Sequence, residues 1–171
     1  NANIYISSDF GANWTATGPS ITWACISLSA SGQYQSAVGN GNFIYISNDF
    51  GATWTQTATS QDWEAISLSA SGQYQSAAIY GGDIYISSDF GANWTPTGIL
   101  SELWMNISLS ASGQYQTAVS DGNIYISSDF GANWTRKTPL VFQVWEGISL
   151  SATGQYQCAV ADGGFIYIST D

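Results

Sequence analysis

The nine-residue segment Ser-x-Asp-Phe-Gly-Ala-x-Trp-Thr occurs four times in this chain, and its spacing is the strongest constraint on the fold. The segments contain Asp9, Asp49, Asp89 and Asp129, each 40 positions from the next. A fifth copy begins at Ser169, and the sequence stops inside it, at Asp171. A period in the forties is typical of repeat architectures, in which each repeat is one supersecondary unit. The sequence therefore predicts an array of like units, either closed into a ring by its own ends or belonging to something longer.

Each repeat contains four short β-strand patterns, and helical spacing appears nowhere. Apolar and polar residues alternate in short β-branched or aromatic runs that stop at turn residues, as expected of strands. A second landmark repeats in step with the first: a tryptophan, then Ile-Ser-Leu-Ser, an Ala-Ser/Thr-Gly turn and Gln-Tyr-Gln. This landmark predicts a hairpin. In the first full repeat the predicted strands are A (Trp23 to Ser29), B (Gln33 to Val38), C (Phe43 to Ser47) and D (Thr53 to Thr57).

Four antiparallel strands per repeat predict an all-β fold, a β-propeller with four-stranded blades. Small residues, serine in strand A and alanine in strand B, suit the taper of blades around an axis, whereas the alternative, a β-solenoid, does not need them. The whole chain, 1–171, is predicted to be one domain with four blades. Its parts are a C–D half blade at 1–17, blades at about 23–57, 63–97 and 104–137, and A–B–C strands at 145–171.

Counting the predicted strands gives a surplus. Five C strands, beginning near Ile4, Ile44, Ile84, Ile124 and Ile166, accompany four each of the A, B and D strands. A closed four-bladed ring leaves one C strand unpaired, and an unpaired strand edge is a template for another chain. We expect that strand to dock into a neighbour, or the window to belong to a longer array of five or more blades.

The repeated segment resembles the Asp-box, or BNR repeat, of sialidases, sortilin-type receptors, xyloglucan-degrading enzymes and a photosystem assembly factor, all β-propellers. The resemblance implies that the box forms the turn between strands C and D and has a structural role. The aspartate accepts backbone N–H groups, the glycine supplies a positive φ and the tryptophan packs between sheets. These structural residues are Ser7, Asp9, Gly11, Trp14, Ser47, Asp49, Gly51, Trp54, Ser87, Asp89, Gly91, Trp94, Ser127, Asp129, Gly131 and Trp134.

The composition argues against enzymatic activity. Sialidases of this family need three arginines and a Tyr/Glu nucleophilic pair, but the chain has one arginine, Arg136. Without histidine, neither a zinc site nor a Ser-His-Asp arrangement can be assembled. The remaining enzymatic alternative is glycoside hydrolysis by two carboxylates, and it depends on acids that we interpret as solvated loop residues. These are Asp62, Glu64, Glu102, Asp121, Glu146 and Asp162. We therefore predict no catalytic residue, no metal and no cofactor.

Charge limits the possible partners. The chain has 12 acidic and 2 basic residues, for a net charge of -10. Because it lacks a cluster of lysine and arginine that neutralises phosphates, nucleic acids and anionic membranes are not expected partners. No run of 18 apolar residues is present, so membrane insertion is not expected either.

Strand alternation predicts two different faces. The Asp boxes and the A–B turns lie on one, which we call the box face, and the D-to-A and B-to-C connections lie on the other, the loop face. The boxes are nearly uniform and the connections differ, so recognition is expected on the loop face. Two apolar connections, 99–103 and 140–144, indicate a contact with another subunit or domain, or side chains folded inward. The candidate residues are Tyr80, Asp83, Leu100, Leu103, Asp121, Leu140, Phe142 and Asp162, with Tyr80 the best single candidate for a sugar site.

The two cysteines occupy positions that hold other residues in the remaining repeats. Cys25 lies in an A strand and Cys158 in a B strand, at positions that we expect to lie opposite each other in the A–B hairpin. If four blades close a ring, the two cysteines fall on adjacent blades at its seam. A disulfide there would close a long loop and stabilise the fold by about 4 kcal/mol or more. The alternative is two unrelated buried thiols.

Three box asparagines, Asn13, Asn93 and Asn133, lie in Asn-Trp-Thr sequons and are candidate N-glycosylation sites, although asparagine also simply suits the turn. A fourth sequon, at Asn106, lies in a strand and is expected to be buried. Together with the composition, poor in lysine and rich in serine and threonine, the sequons favour an extracellular or cell-surface location. The sequence predicts a non-enzymatic structural or adhesive module that self-associates, into arrays or fibrils, or binds another extracellular protein. The alternative is a lectin that binds glycans on the loop face.

Overall fold

The computed structural model describes residues 1–99, 101–137 and 143–169, and β-strands are the regular secondary structure in these ranges. The described part of the chain contains no helix that is long and apolar enough to cross a bilayer. The strands are β1 (Ala2–Ile6), β2 (Thr15–Ile21), β3 (Cys25–Leu28), β4 (Gln35–Val38), β5 (Asn42–Ser47), β6 (Thr55–Gln61), β7 (Trp63–Leu68), β8 (Gln75–Gly82), β9 (Ile84–Ser87), β10 (Thr95–Pro96), β11 (Glu102–Leu109), β12 (Gln116–Ser120), β13 (Ile124–Ser127), β14 (Thr135–Lys137), β15 (Trp145–Leu150), β16 (Gln157–Ala161) and β17 (Ile166–Ser169).

The strands form five units, and every pairing between sequence neighbours within a unit is antiparallel. Unit 1 is the hairpin β1–β2, units 2, 3 and 4 are the meanders β3–β6, β7–β10 and β11–β14, and unit 5 is the three-stranded sheet β15–β17. Five strands of the described residues therefore correspond to the predicted strand C of a repeat, namely β1, β5, β9, β13 and β17. The surplus C strand that the sequence predicts is present.

Units 2 to 5 stand side by side, each A strand contacting the A strand of the next unit. Hydrogen bonds fix this stacking: the Ser27 hydroxyl accepts from the Leu68 amide at 3.1 Å, and the Ser36 hydroxyl donates to Gln75 Oε1 at 2.7 Å. Both bonds recur at the next two junctions. Small hydroxyl side chains are needed here because two sheets approach closely and their buried polar groups must find partners.

The core lies between the units, where one buried cluster joins Val38 and Ile44 of unit 2 to Trp63 and Ile66 of unit 3. At the start of each A strand, a tryptophan packs edge-on against the C-strand tyrosine of its own unit, for example Trp63 against Tyr85 with ring centroids 5.3 Å apart. Edge-to-face geometry is a favoured arrangement of aromatic pairs. The same pair occurs in units 2, 4 and 5, and Trp63, Trp104 and Trp145 are almost completely buried.

A strand pairing that the sequence does not predict joins units 3 and 4. The B strand β8 runs past its own sheet and pairs with β11, with Leu103 opposite Tyr80 and Glu102 opposite Gly82. The indole of Trp104 donates to the carbonyl of Gly82 at 2.9 Å, which anchors the extension. The two units thereby share a continuous sheet at the loop face.

The predicted closed ring of four blades is not confirmed. No extensive contact joins the unit 5 strands to the unit 1 strands among the described residues, and both ends of the stack expose apolar side chains. We call the exposed side of unit 2, with Ile26 and Leu28, the N-terminal end face. The exposed side of unit 5, with Ile166 and Ile168, is the C-terminal end face. Each end face exposes apolar side chains whose equivalents inside the stack are buried between two units.

The prediction that the cysteine positions lie opposite each other is wrong. In unit 2, Cys25 pairs with Val38, whereas Ser36, the equivalent of Cys158, pairs with Ser27 two residues further along. Cys25 also points toward unit 3, with its sulfur 3.6 Å from the carbonyl oxygen of Ile66, while Cys158 is exposed. Both are free thiols in the structure, and their side chains do not meet across a seam.

Candidate functional site

The Asp box is the most regular feature of the molecule, and its aspartate bonds only to its own turn. Asp9 Oδ1 accepts from the Ser7 hydroxyl at 2.8 Å and from the Asn13 amide at 2.9 Å. Asp9 Oδ2 accepts from Asn13 Nδ2 at 2.6 Å, and the Gly11 amide donates to the Ser7 hydroxyl at 2.9 Å. Both carboxylate oxygens thus have donors from the same nine residues.

The other three boxes repeat this geometry. In the second box Thr53 replaces asparagine, and its hydroxyl donates to Asp49 Oδ2 at 2.6 Å. Asp89 and Asp129 accept from Asn93 and Asn133 as Asp9 does from Asn13. The structural role that the resemblance implies for these aspartates therefore agrees with their bonding.

The backbone of each box is strained at its phenylalanine, which the sequence analysis did not single out. The phenylalanine after each aspartate has a positive φ, from 58° at Phe10 to 62° at Phe90 and Phe130, and the following glycine is also positive. A positive φ is a genuine outlier for a bulky residue. The rings of Phe90 and Phe130 stack on Tyr34 and Tyr74 of the preceding unit, 4.5 Å between centroids, so contacts between units accompany the strain.

Each box of units 2 to 4 also contacts the preceding unit. A Cβ built on Gly51 would lie 2.8 Å from Ile6 Cγ2 of unit 1 and 2.9 Å from Gln35 Oε1, and Gly91 and Gly131 are equally crowded. The box tryptophan donates from its indole to the carbonyl of the box glycine, and Trp94 also lies 3.1 Å from the Thr57 hydroxyl of unit 2. The box therefore braces its own hairpin and fastens neighbouring units together.

These hydrogen bonds lower the pKa of the box carboxyls. The side-chain and backbone donors of Asn13 hold the pKa of Asp9 at about 2, and those of Thr53 do the same for Asp49. The pKa of Asp129 is lowered by the Asn133 donors. At Asp89 burial acts to raise the pKa, but the bonds from Asn93 and Ser87 outweigh it.

Acid is therefore expected to unfold the chain by protonating the boxes. A carboxyl whose pKa is lower in the folded state contributes stability above its unfolded-state pKa of about 3.9, and loses it as the pH falls further. We expect the thermal midpoint to be flat above about pH 5 and to fall steadily from about pH 4 toward pH 2. Circular dichroism melts across this range measure it. A midpoint that does not change down to pH 2 contradicts the bonding described for the boxes.

The loop face brings together two of the predicted candidate residues. Tyr80 is 48% exposed and Leu103 is 40% exposed, and the β8–β11 pairing sets them side by side. Asp121 and Asp162 are exposed on neighbouring connections. Leu100, Leu140 and Phe142 lie outside the described residues. Tyr80 and Leu103 thus form a small amphipathic patch bordered by strand ends.

Asp83 has a different role from the one predicted. Its Oδ1 accepts from the Ile84 amide at 2.7 Å and from the Thr97 hydroxyl at 2.9 Å, and its Oδ2 accepts from the Gly98 amide at 3.0 Å. These three bonds tie the start of β9 to the end of β10. The carboxylate is therefore occupied in closing a turn and is not presented to a ligand.

Sequence reasoning missed a carboxylate–phenol pair under the loop face. The Tyr125 hydroxyl donates to Glu102 Oε1, and Ser120 lies 3.5 Å from the other oxygen. Burial, the hydrogen bond and the charge of Glu102 raise the pKa of Tyr125 to about 12. A nucleophilic tyrosine needs the opposite shift, so this pair is suited to holding β11 against β13 rather than to attacking a substrate. The pairing of Glu102 with a residue 23 positions away carried no local sequence signal.

The sequons of the boxes are exposed on the box face, as predicted. Each asparagine Nδ2 donates to its box aspartate, at 2.6 Å for Asn13 and 2.7 Å for Asn93 and Asn133. Asn106 lies half-buried in β11. Glycosylation of the three box asparagines stays a prediction.

A groove of about 590 Å³ opens between units 4 and 5, and we call it the C-terminal groove. Its lining is mostly apolar. It comprises Ile124, Ile126, Lys137, Trp145, Ile148, Gln157, Ala159, Tyr167, Ile168 and Ser169. The indole N–H of Trp145, on this lining, is buried and has no hydrogen-bond acceptor among the described residues, whereas Trp23, Trp63 and Trp104 each donate to a carbonyl.

Comparison with known proteins supports the repeat and the fold. The family model of the BNR/Asp-box repeat matches residues 45–56. No curated protein sequence matches the chain.

Many solved structures resemble the chain, and β-propellers are among them. An ancestral GH74 enzyme superposes with a TM-score of 0.76 at 17% identity, over 93% of this chain and 24% of its own. The GH74 enzyme of Niastella koreensis gives 0.73 at 21% identity, over 92% and 24%. YCF48 bound to D1 peptide gives 0.66 at 18% identity, over 93% and 54%. The chain thus spans about a quarter of the GH74 chains and about half of YCF48, and at these identities the likeness concerns the fold.

Proposed function

We propose that this chain, which carries Asp-box repeats on a propeller-type fold, is a non-enzymatic interaction module that assembles through its two end faces. In such a module the apolar surfaces of the repeats pack sheets against each other inside the stack. At the two end faces, the same kind of surface binds a partner. The proposal includes self-association in an extracellular or cell-surface setting, for which the exposed sequons and the low lysine content are the support.

The exposure of the end faces is the observation that carries the proposal. Ile26 and Leu28 are 46% and 56% exposed, whereas the equivalent Ile66 and Leu68 in unit 3 are 3% and 7% exposed. At the other end, Ile166 is 72% exposed, although Ile84 in the same position of unit 3 is fully buried. Contiguous apolar patches on a soluble protein mark interaction sites.

The bonding of the carboxylates supports a non-enzymatic function. The four box aspartates and Asp83 each accept hydrogen bonds from protein donors on both carboxylate oxygens, and Glu102 is paired with a tyrosine whose pKa is raised. General acid–base chemistry needs a carboxyl poised to exchange a proton with a substrate. The similar structures include two GH74 enzymes and YCF48 bound to D1 peptide, so the fold is compatible with either class.

The alternative is a lectin that uses the loop face. The observation in its favour is the pairing of exposed Tyr80 with Leu103, near the exposed carboxylate of Asp121. An aromatic ring beside hydrogen-bonding groups is a suitable platform for a sugar ring.

Light scattering and a glycan array on the same purified chain separate the two functions. If the module assembles through its end faces, its molar mass rises with concentration across a dilution series, and no glycan binds at micromolar affinity. If the chain stays monomeric throughout the series and binds a defined glycan, the lectin is correct and the assembly module is wrong.

A further inference from the structure

We propose that Asn40, on the loop face, is a site of spontaneous covalent modification. The backbone amide nitrogen of Gly41 attacks the asparagine side chain, and the products are aspartate and isoaspartate. The modification adds a negative charge to the face on which the sequence predicts recognition. It is independent of the assembly through the end faces and does not require it.

The sequence singles out Asn40 among the asparagines of the chain. Asparagine followed by glycine occurs once, at Asn40-Gly41, and every other asparagine precedes a residue that has a side chain. Asparagine is thermolabile, because the amide nitrogen of the next residue can attack its side-chain carbonyl carbon and close a five-membered ring. Glycine has no Cβ to obstruct that approach. The sequence therefore favours the reaction at this position over all others.

Asn40 and Gly41 are the two central residues of the turn between β4 and β5. The Asn42 amide donates to the Gly39 carbonyl at 3.2 Å and closes the turn, and Gly41 has a φ of +66°. This is the third position of a turn in which a positive φ favours glycine. Both central residues are exposed, at a loop tip of the kind where backbone motion concentrates. The turn thus presents both reacting groups to water.

The attacking amide is free. Among the described residues, the Gly41 amide donates to no acceptor, whereas the amide of Gly122, in the equivalent connection of unit 4, donates to the Gln143 carbonyl at 3.0 Å. A hydrogen-bonded amide must give up that bond before its nitrogen can attack. The bond that holds Gly41 in place is made by its carbonyl, which accepts from the Ser60 hydroxyl at 2.8 Å. The turn is therefore restrained without occupying the nucleophile.

Water is the co-reactant that the reaction needs. The Gly41 nitrogen loses its proton and forms a bond to Cγ of Asn40, the Cγ–Nδ2 bond breaks, and the proton leaves on the departing ammonia. Water then opens the cyclic imide at one of its two carbonyl carbons. Attack at Cγ gives aspartate. Attack at the backbone carbonyl carbon gives isoaspartate, in which the main chain runs through the former side chain.

Unit 5 shows that the aspartate product fits this turn. Its B-to-C connection has Asp162-Gly163 in the same place, with a φ of +61° at Gly163, and the Gly164 amide donates to the Ala161 carbonyl at 3.2 Å. Aspartate at position 40 therefore needs no rearrangement. Isoaspartate differs, because it adds one atom to the main chain inside a turn that a single backbone hydrogen bond closes.

The modified turn adjoins the loop-face patch of Tyr80 and Leu103. A Cβ built on Gly41 would lie 4.0 Å from Asp62 Oδ1, and the Asp62 carbonyl accepts from the Tyr80 amide at 2.9 Å. The new carboxylate therefore joins that of Asp62, and the two like charges make the local potential more negative. The reaction thus changes the charge of the surface that a partner of the loop face would contact.

Ageing the parent chain beside Asn40→Gln tests the site. Glutamine keeps the amide but would have to close a six-membered ring, so it should react much more slowly. Incubated at neutral pH and followed by anion-exchange chromatography, the parent should accumulate a more acidic species and Asn40→Gln should not. Peptide mapping by mass spectrometry should place the change at Asn40. Because the side chain is exposed, the two chains should melt alike before ageing.

Gly41→Ala tests the role of the unobstructed amide. Its Cβ shields the nitrogen, so the acidic species should form about tenfold more slowly than in the parent. A thermal melt checks that this variant is folded, since alanine is strained at a φ of +66°.

The inference is wrong if the parent gains no acidic species, if the change maps to another asparagine, or if Asn40→Gln ages as fast as the parent. It is also wrong if the change appears only in urea, because the folded turn then protects Asn40. None of these results bears on the assembly module, which light scattering tests separately.

Discussion

Replacing Trp63 by alanine is expected to lower the free energy of unfolding by about 3–5 kcal/mol, the range for removing a large aromatic side chain from a core. Trp63 is completely buried between units 2 and 3, packs edge-on against Tyr85, and donates from its indole to the Thr59 carbonyl at 3.2 Å. The substitution removes all three contributions and leaves a cavity at a junction on which both units depend. Urea denaturation followed by circular dichroism measures the loss.

The control is Trp14→Ala, which deletes the same chemical group from an exposed position. Measured on dilute protein, it should change the free energy of unfolding by less than about 0.5 kcal/mol. If the two variants lose equal stability, the core does not lie between the units, and the stacking of sheets described above is wrong.

Replacing Gly91 by alanine is expected to be nearly as damaging, for a reason specific to the box. Gly91 has a φ of +82°, where an alanine costs about 1–2 kcal/mol. The added Cβ would also lie 2.9 Å from Ile46 Cγ2 of the preceding unit and 3.0 Å from Gln75 Oε1. Overpacking of this kind costs about 1–3 kcal/mol more.

Gly11→Ala separates the two contributions. Gly11 occupies the same position of the first box with a φ of +85°, but the nearest atom to its Cβ is Trp14 Cζ2 at 3.8 Å. We therefore expect only the backbone cost of about 1–2 kcal/mol there. The difference between the two variants in urea denaturation measures how tightly the box is pressed against its neighbour. Equal losses would show that the box stabilises its own turn alone.

Much of the fold follows from local patterns in the sequence. Alternating Ile-Tyr-Ile-Ser segments, Ala-Ser-Gly turns and the recurring box predict the strands and their order, because each depends on neighbours within a few residues. The role of the box aspartate is predictable for the same reason: Ser7, Asp9 and Asn13 are close in sequence, and their donors and acceptors match in number.

Features that depend on backbone strain and on where strands end were not predictable. The positive φ of Phe10 contradicts the ordinary preference of a bulky residue. The pairing of Glu102 with Tyr125, and of Leu103 with Tyr80, depends on how far β8 and β11 extend beyond their sheets. Cys25 lies on the same face of its sheet as Ser36, the equivalent of Cys158, but its partner in the A–B register is Val38, two residues away from the position expected. Residue spacing alone fixes neither strand ends nor register.

The proposed function rests on surfaces that the sequence indicates only indirectly. The surplus C strand predicts that one strand edge lacks a partner strand. The exposure of Ile26 and Leu28 is not predictable in the same way, because other A strands have the same residue types at these positions and bury them. Their exposure becomes visible only when the units are stacked and both ends of the stack are found uncovered.

Sedimentation equilibrium of the parent chain beside Leu28→Glu tests the central claim most directly. Leu28 is 56% exposed on the N-terminal end face, so glutamate is tolerated in the single chain but places a buried charge in any stacked assembly. The account predicts a molar mass that rises with concentration for the parent chain and stays at the monomer value for the variant. Two identical concentration series, whether both monomeric or both associating, would contradict it.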